Sequence, residues 1–197
     1  METKYKILQN LLKEVTRRYD YLFEMKERLL KELAFQAMHD FQTGLYNYKA
    51  VFELGEREVK ELKRGENKNL WVVFIDLDNF KQVNDNFGHK KGDEILKEFA
   101  SFLKESFRDY DIVGRVGGDE FVVVLTNIDS DTLKRRLLSF KEEVRKKFKK
   151  FDITTSIGVS CSPSDGDDFD RLVTIADSRM YEAKKSGKDK ISFGEEI

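Results

Sequence analysis

The chain has 197 residues with 36 basic and 37 acidic side chains, a net charge of −1 that lacks the basic surplus of a nucleic-acid-binding domain. Apolar residues make up 40%, enough for a folded core, yet the longest uninterrupted apolar run, residues 70–75, is too short to span a bilayer. A single cysteine, Cys161, and the lack of a signal-peptide pattern favour the cytoplasm. We therefore predict a cytoplasmic protein with no nucleic-acid partner and no membrane segment.

The first 37 residues carry a heptad pattern. Apolar side chains recur at alternating spacings of four and three, with one lysine in the series: Met1, Tyr5, Leu8, Leu12, Val15, Tyr19, Leu22, Lys26, Leu29 and Leu33. So narrow a stripe predicts a long helix in a dimeric coiled coil; the alternative is an amphipathic helix packed on its own domain. We accordingly divide the chain into a helix over residues 1–37 and a globular domain over residues 38–197.

The rest of the chain predicts alternating helices and strands. Predicted helices cover 48–64, 91–107, 131–148 and 168–185, and predicted strands cover 70–76, 111–116, 120–125, 151–160 and 190–193. From residue 70 the order is β-α-β-β-α-β, with one more helix and strand, which is typical of the ferredoxin-like split βαβ fold. This α/β (α+β) fold has a central, mostly antiparallel sheet flanked by helices. Right-handed crossovers place its third strand between the first and second, antiparallel to both.

Carboxylates stand at two strand ends that this topology brings together. Asp76 ends the first strand, and Asp119 and Glu120 follow the Gly117-Gly118 turn that opens the third. Mg²⁺ favours a few carboxylate oxygens together with water and phosphates, the chemistry that nucleotidyl transfer uses. The alternative is a strand that simply ends in a polar turn and a hairpin with a polar tip.

A polar segment, residues 79–93, follows the first strand and runs into the helix predicted from Lys91. It contains glycines, a lysine, and Asn and Asp side chains. A carboxylate accepts from the N1–H and N2–H₂ groups of guanine, and an Asn amide matches its acceptor edge. The alternative is a polar loop that caps the next helix. No G-x-x-x-x-G-K-[ST] pattern is present, which excludes a P-loop.

Several motifs, in one order and spacing from about residue 38 to 193, resemble those of the GGDEF diguanylate cyclases. They are residues 40–47, 76–81, 84–85, 88–89, 92–93, 117–121, 156–160, 176–177 and 181–184. The resemblance implies a cyclase palm domain that condenses two GTP molecules into cyclic di-GMP with release of two pyrophosphates. It also implies that a degenerate relative would bind cyclic di-GMP or GTP without turnover, which is the alternative function; an inert domain on a coiled-coil scaffold is a weaker one.

The resemblance implies a role for each matching residue. Asp76, Asp119 and the carbonyl of Leu77 would hold Mg²⁺ or Mn²⁺. The catalytic residues would be Glu120, beside the ribose 3′-hydroxyl, Asp119, and Lys81, which would stabilise developing charge.

The substrate-binding set follows in the same way. Asn84 and Asp93 would read the guanine. Further substrate contacts would come from Phe80, Lys81, His89, Lys184 and Lys188.

Three positions depart from the family pattern. Gln42 stands where leucine is common and Tyr48 where arginine is common, and both are expected to lie away from the chemistry. Lys188 replaces a frequent arginine, so it keeps the charge and loses bidentate geometry.

Two further features bear on regulation. One GTP per domain implies that two domains must face each other, so the heptad helix is expected to hold a homodimer. Arg108 and Asp111 resemble the family's site for inhibition by its product, cyclic di-GMP, with Arg135 or Arg136 as the added arginine.

Overall fold

The N-terminal helix forms a compact unit by itself. The computed structural model describes residues 1–65 and 67–194 and separates into two units, Met1–Met38 and the chain from His39 onward. Helix α1 runs from Glu2 to Met38, one residue past the predicted boundary, and none of its residues is buried in the single chain. Leu12 and Leu22 are 66% and 62% exposed, so the heptad seam is open to a partner.

The second unit is built on a five-stranded sheet in the order β2-β3-β1-β4-β5. The strands are β1 (Leu70–Asp78), β2 (Ile112–Arg115), β3 (Glu120–Thr126), β4 (Thr154–Ser162) and β5 (Ile191–Ser192). Strand β1 is antiparallel to β3 and β4, β3 is antiparallel to β2, and only β5 pairs in parallel, with β4. The predicted α+β fold is confirmed, including the position of the third strand between the first and second.

Helices cover both faces of this sheet. They are α2 (Tyr48–Lys63), α3 (Phe80–Phe87), α4 (His89–Ser106), α5 (Ser130–Lys147) and α6 (Phe169–Lys185), with a 3-10 turn at Lys149–Phe151. Alternate residues of β1 enter two cores: Val73 and Ile75 pack with α4 and α5, whereas Val72 and Phe74 pack with α2 and α6. A strand buried on both faces must be apolar throughout, which explains the continuous run at 70–75.

The sequence prediction placed no helix between the first strand and Lys91, and this part of it is wrong. Helix α3 begins directly after Asn79, and α4 begins at His89, not at Lys91, with only Gly88 between the two helices. Phe80 and Val83, three residues apart, bury one face of α3 in the core. Their apolar spacing was obscured by the polar side chains that surround it.

Strand boundaries also differ from the prediction by one to three residues, most clearly at the end of β1 and the start of β4. Strand β1 continues beyond Asp76 to Asp78, paired throughout with β4. Strand β4 begins at Thr154, not at Phe151, because the 3-10 turn is followed by Asp152 in the left-handed conformation at φ 53°. A short backbone reversal such as the one at Asp152 leaves no mark on the apolar periodicity, so the sequence does not reveal it.

Strand pairing sets the positions of the proposed site residues. Asp76 of β1 stands opposite Glu120 of β3, and the backbone N–H of Leu77 donates to the carbonyl of Asp119 at 3.1 Å. Helix α6 lies against β4 at Gly158, where a Cβ would lie 2.0 Å from the carbonyl oxygen of Ala176. Only glycine permits this close approach, which brings α6 against the sheet.

Candidate active site

The carboxylate of Asp76 is buried at the edge where β1 and β3 meet. The residue is 2% exposed, and its Oδ2 accepts a hydrogen bond from Lys184 Nζ at 2.6 Å. Its Oδ1 is buried and has no hydrogen-bond partner within the described part of the chain, residues 1–65 and 67–194. Burial raises the pKa of Asp76 to about 7, the charges of Asp119 and Asp78 add to this, and Lys184 opposes it. An unpartnered buried carboxylate oxygen is costly unless a cation or donor satisfies it.

Asp78, two residues further along β1, has a different role. Its Oδ1 accepts from Ser156 Oγ at 2.7 Å, and its Oδ2 accepts from Thr154 Oγ1 at 2.7 Å and from the backbone N–H of Asp189 at 3.0 Å. The residue is fully buried. Every oxygen of Asp78 is thus used to join β1 to β4 and to the segment before β5, so of the two strand-end aspartates only Asp76 has a free oxygen.

Glu120 is the first residue of β3 and stands opposite Asp76 of β1. Burial raises its pKa, and the neighbouring charges of Asp119 and Asp177 raise it further, while Lys184 lowers it. The Glu120 side chain folds over the turn, because a Cβ at Gly117 would lie 2.1 Å from Glu120 Oε2. Residue 117, which lies in the turn, must therefore be glycine for the Glu120 side chain to occupy this position.

Lys184 and Lys188, both expected to contact substrate, bond to different groups: Lys184 to the Asp76 carboxylate, and Lys188 to the residue before α3. Although burial disfavours its charge, the hydrogen bond to Asp76 raises the pKa of Lys184. Lys188 Nζ donates to Asn79 Oδ1 at 2.7 Å, beside the start of α3, where Lys81 is exposed. The structure thus brings Lys184 to the carboxylates and Lys188 to the residue that precedes α3.

The residues expected to read guanine lie on α3 and α4. Asn84 is half-buried, and its Oδ1 occupies the space that a Cβ at Gly92 would need, 2.0 Å away. His89 and Asp93 are exposed on the first turns of α4. Phe80 is only 8% exposed and packs in the core. The Asn84 side chain and the Phe80 ring therefore both lie against Gly92, the residue that precedes Asp93.

Sequence reasoning missed two residues at this site, Gln42 and Arg115. Gln42, which was expected to lie away from the chemistry, donates from its amide Nε2 to Oδ1 of Asp93, one of the two residues expected to read guanine, at 2.6 Å. Arg115 donates to Gln42, to Asp40 and to the carbonyl of Gly118. The one available signal was that Gln42 departs from the residue common at its position.

Two carboxylates, those of Asp76 and Asp119, are the candidate metal ligands at this site. Across residues 1–65 and 67–194, no group of three or more His, Cys, Asp or Glu side chains could hold a metal ion. Mg²⁺ is commonly bound by one or two carboxylates together with substrate phosphates and water. Asp76 with its unpartnered Oδ1, Asp119 and the backbone carbonyl of Leu77 fit that mode.

The predicted inhibitory pair differs in exposure. Arg108 is exposed and donates to the Tyr110 hydroxyl at 2.6 Å, whereas Asp111 is 7% exposed and its Oδ2 accepts from the backbone N–H of Arg108 at 2.9 Å. Burial raises the pKa of Asp111. Of the two candidate arginines, Arg136 lies 3.7 Å from Asp111 Oδ2, while Arg135 bonds within its own helix to Thr132.

The split βαβ sheet, with carboxylates where β1 ends and β3 begins, defines a palm-type cyclase fold. The family model described as "Diguanylate cyclase, GGDEF domain" matches residues 37–190. The chain belongs to the GGDEF diguanylate cyclase family.

Curated relatives extend beyond this chain. It is 32% identical over 173 residues to the uncharacterized protein YhcK of Bacillus subtilis, a match covering 85% of this chain and 48% of the relative. It is 35% identical over 160 residues to the diguanylate cyclase DgcS of Shewanella oneidensis, covering 81% of this chain and 53% of DgcS. The chain thus spans about half the length of these relatives.

Solved structures share the architecture. Diguanylate cyclase SiaD of Pseudomonas aeruginosa, in complex with its activator SiaC, matches 98% of this chain and 75% of its own at a TM-score of 0.73 and 29% identity. The coiled coil and GGDEF domain of DgcB from Caulobacter crescentus, in complex with c-di-GMP, matches 92% of this chain and 98% of its own at a TM-score of 0.81. At 22% identity the latter likeness concerns the fold alone. Over the described residues, 1–65 and 67–194, no helix combines the length and hydropathy needed to cross a membrane.

Proposed function

We propose that this chain is a diguanylate cyclase that condenses two GTP molecules into cyclic di-GMP and releases two pyrophosphates. The observation that carries the proposal is the buried, unpartnered Oδ1 of Asp76 at the edge where Asp119 and Glu120 also stand. Degenerate domains that only bind nucleotide would not need these acidic groups. The family membership and the diguanylate cyclase relatives support the same conclusion.

The metal-binding part of the proposal involves three groups. Asp76, Asp119 and the carbonyl of Leu77 would hold Mg²⁺, and Mn²⁺ has the same preference for oxygen ligands. The bound ion supplies charge neutralisation on the triphosphate and polarisation of the attacking hydroxyl. Lys184 brings a positive charge to the same edge, and we assign it, together with Lys81 and Lys188, to phosphate contacts.

Glu120 is assigned to the ribose 3′-hydroxyl. The burial and neighbouring carboxylates that raise its pKa make it a better proton acceptor than a solvated glutamate. Its position over Gly117 fixes it at the tip of the hairpin. Glu120 would therefore orient the hydroxyl and accept its proton as the 3′-oxygen attacks the α-phosphate of the GTP on the facing domain.

Base selection is assigned to Asn84 and Asp93, with His89 nearby. Asp93 accepts from the guanine N1–H and N2–H₂ groups, and the Asn84 amide complements the acceptor edge. Adenine presents the reverse pattern of donors and acceptors at these positions. Phe80, packed beneath Gly92, supports the floor of this pocket.

Product formation requires two domains, since each would present one GTP. We propose that residues 1–37 form a parallel coiled coil that holds two cyclase domains, residues 38–197, at high effective concentration. The exposed seam of α1 supports this assignment, because burying a leucine side chain stabilises association by about 1.5–3 kcal/mol.

The test is incubation of the purified protein with Mg²⁺ and either GTP or ATP, with the product identified by mass spectrometry. We expect cyclic di-GMP from GTP, and turnover of ATP lower by at least about 10²-fold because the base contacts would be mismatched. Equal turnover of ATP would show that Asn84 and Asp93 are misassigned. Binding of GTP without any product would establish the alternative function, a silent nucleotide-sensing module.

Product inhibition is a separate proposal that rests on Arg108. This exposed guanidinium would contact guanine and phosphate of cyclic di-GMP, and the Asp111 carboxylate would accept from guanine N–H groups. Asp111 also accepts from the backbone N–H of Arg108, and Arg136 lies alongside. Arg108→Ala should leave the initial rate within about twofold and raise the inhibitory concentration of cyclic di-GMP by about tenfold or more, the effect of losing a charge-assisted contact. Calorimetry showing unchanged affinity for cyclic di-GMP in this variant would refute the site.

A further inference from the structure

The side chain of Gln42 links two parts of the domain that the family pattern does not require to be linked. Its Oε1 accepts from a guanidinium nitrogen of Arg115 at 2.6 Å, and its Nε2 donates to Asp93 Oδ1 at 2.6 Å. Arginine only donates and a carboxylate only accepts, so the amide satisfies both partners in one orientation alone. A leucine at this position would provide neither bond.

The Arg115 end of this link is rigid. The Arg115 side chain is 10% exposed, pairs with Asp40 Oδ1 at 3.1 Å, and donates to the carbonyl of Gly118 at 2.6 and 3.1 Å. Asp40 is itself fixed by Thr43, whose N–H and hydroxyl donate to the same carboxylate oxygen at 2.9 and 2.6 Å. Gln42 is therefore attached to a saturated network beside the hairpin turn.

At the other end, the bond from Gln42 is the one hydrogen bond to the Asp93 side chain among residues 1–65 and 67–194. Asp93 is exposed on the first turns of α4, where an aspartate side chain has several rotamers open to it. The bond from Gln42 engages Oδ1 of this exposed carboxylate and does not involve Oδ2. Fixing a side chain before it binds removes the entropic cost of ordering it on binding.

We propose that Gln42 is a positioning residue that orients the guanine-reading carboxylate of Asp93 and so tightens selection of the guanine base. The inference rests on the proposed function, since it gives Asp93 that role. It predicts a selective effect on nucleotide binding and base discrimination, with the chemical step itself left intact.

Two substitutions separate positioning from simple support of the fold. Gln42→Leu removes both bonds, whereas Gln42→Glu keeps an acceptor for Arg115 but cannot donate to Asp93 and brings a second negative charge to it. We expect both variants to raise KM for GTP by about tenfold, the effect of losing one hydrogen bond to a charged group, with kcat changed less than about threefold. Gln82→Leu, at an exposed glutamine of α3, is the matched control and should leave both constants unchanged.

Base discrimination is the readout that a purely structural role would not affect. Inosine triphosphate lacks the 2-amino group, so it loses one contact to Asp93. The parent protein should have a higher kcat/KM for GTP than for inosine triphosphate. Both Gln42 variants should lower the ratio of these two kcat/KM values several-fold at an unchanged melting temperature. An unchanged KM and an unchanged ratio in both variants, with the parent active, would overturn the positioning role and leave the proposed function standing.

A parent protein without turnover would overturn the proposed function, and calorimetry with a non-hydrolysable GTP analogue would then decide the inference. Weaker binding by Gln42→Leu than by the parent would support the positioning of Asp93. Equal binding by the two proteins, or no binding by either, would overturn it.

Discussion

Asp119→Ala is expected to lower the rate of cyclic di-GMP formation by about 10²–10³-fold, the usual effect of losing a major transition-state contact. Asp119 stands at the hairpin entrance beside Asp76, and its loss leaves one carboxylate and one carbonyl for the divalent ion. The fold should survive, because Asp119 is only partly buried and its backbone contact to Leu77 does not involve the side chain. The measurement is the initial rate with saturating GTP across a Mg²⁺ titration.

The matched control is Asp131→Ala, an exposed aspartate in the first turn of α5. It removes the same side chain without touching the site, so its rate should stay within about twofold of the parent. A second readout separates metal binding from catalysis: Mg²⁺ with a non-hydrolysable GTP analogue should raise the melting temperature of the parent more than that of Asp119→Ala. A variant as active as the parent would disprove the metal assignment.

Replacing both Leu12 and Leu22 with Glu is expected to abolish dimerisation at micromolar concentrations and to remove nearly all activity. Each glutamate would place an unpaired carboxylate in the apolar seam, at a cost of several kcal/mol per helix pair. Both leucines are exposed in the single chain, so the monomer should keep its fold. Light scattering and turnover, measured over the same dilution series, should fall together.

Thr3→Glu with Asn10→Glu adds the same number of carboxylates to α1 outside the heptad seam. This control should remain dimeric and active, because its new charges stay in water. Full activity from a protein that scattering shows to be monomeric at every concentration would mean that the helix has no role in bringing two domains together. A dimeric but inactive seam variant would show that the helix sets the geometry of the pair as well as its concentration.

Strong local patterns carried most of the fold prediction. The apolar run at residues 70–75 indicated a strand covered on both faces, and the Gly117-Gly118 pair between two apolar runs indicated a hairpin. The hairpin is present, but neither glycine has the positive φ that a tight primed turn requires. With the order of elements and right-handed crossovers, these signals predicted that Asp76 and the start of the third strand would meet. The observed pairing of Asp76 with Glu120 confirms that expectation.

Weak or interrupted patterns were misinterpreted. Helix α3 is eight residues long and buries only Phe80 and Val83, too short a periodicity to stand out among polar neighbours. The boundary of β4 depends on Asp152 in the left-handed region, a conformation that no apolar pattern reports. In both places the backbone conformation is determined by contacts with residues distant in the chain.

The class of fold, the heptad pattern and the types of chemical group at the candidate site follow from the sequence alone, because they depend on periodicity and residue identity. The hydrogen-bond partners of each group emerged only in the folded chain. Both oxygens of Asp78 accept hydrogen bonds, from Ser156 and Thr154, whereas Asp76 keeps an unpartnered oxygen. Gln42 bonds to Asp93, which lies 51 residues further along the chain. Hydrogen-bond partners distant in sequence are set by packing, and local patterns contain no record of them.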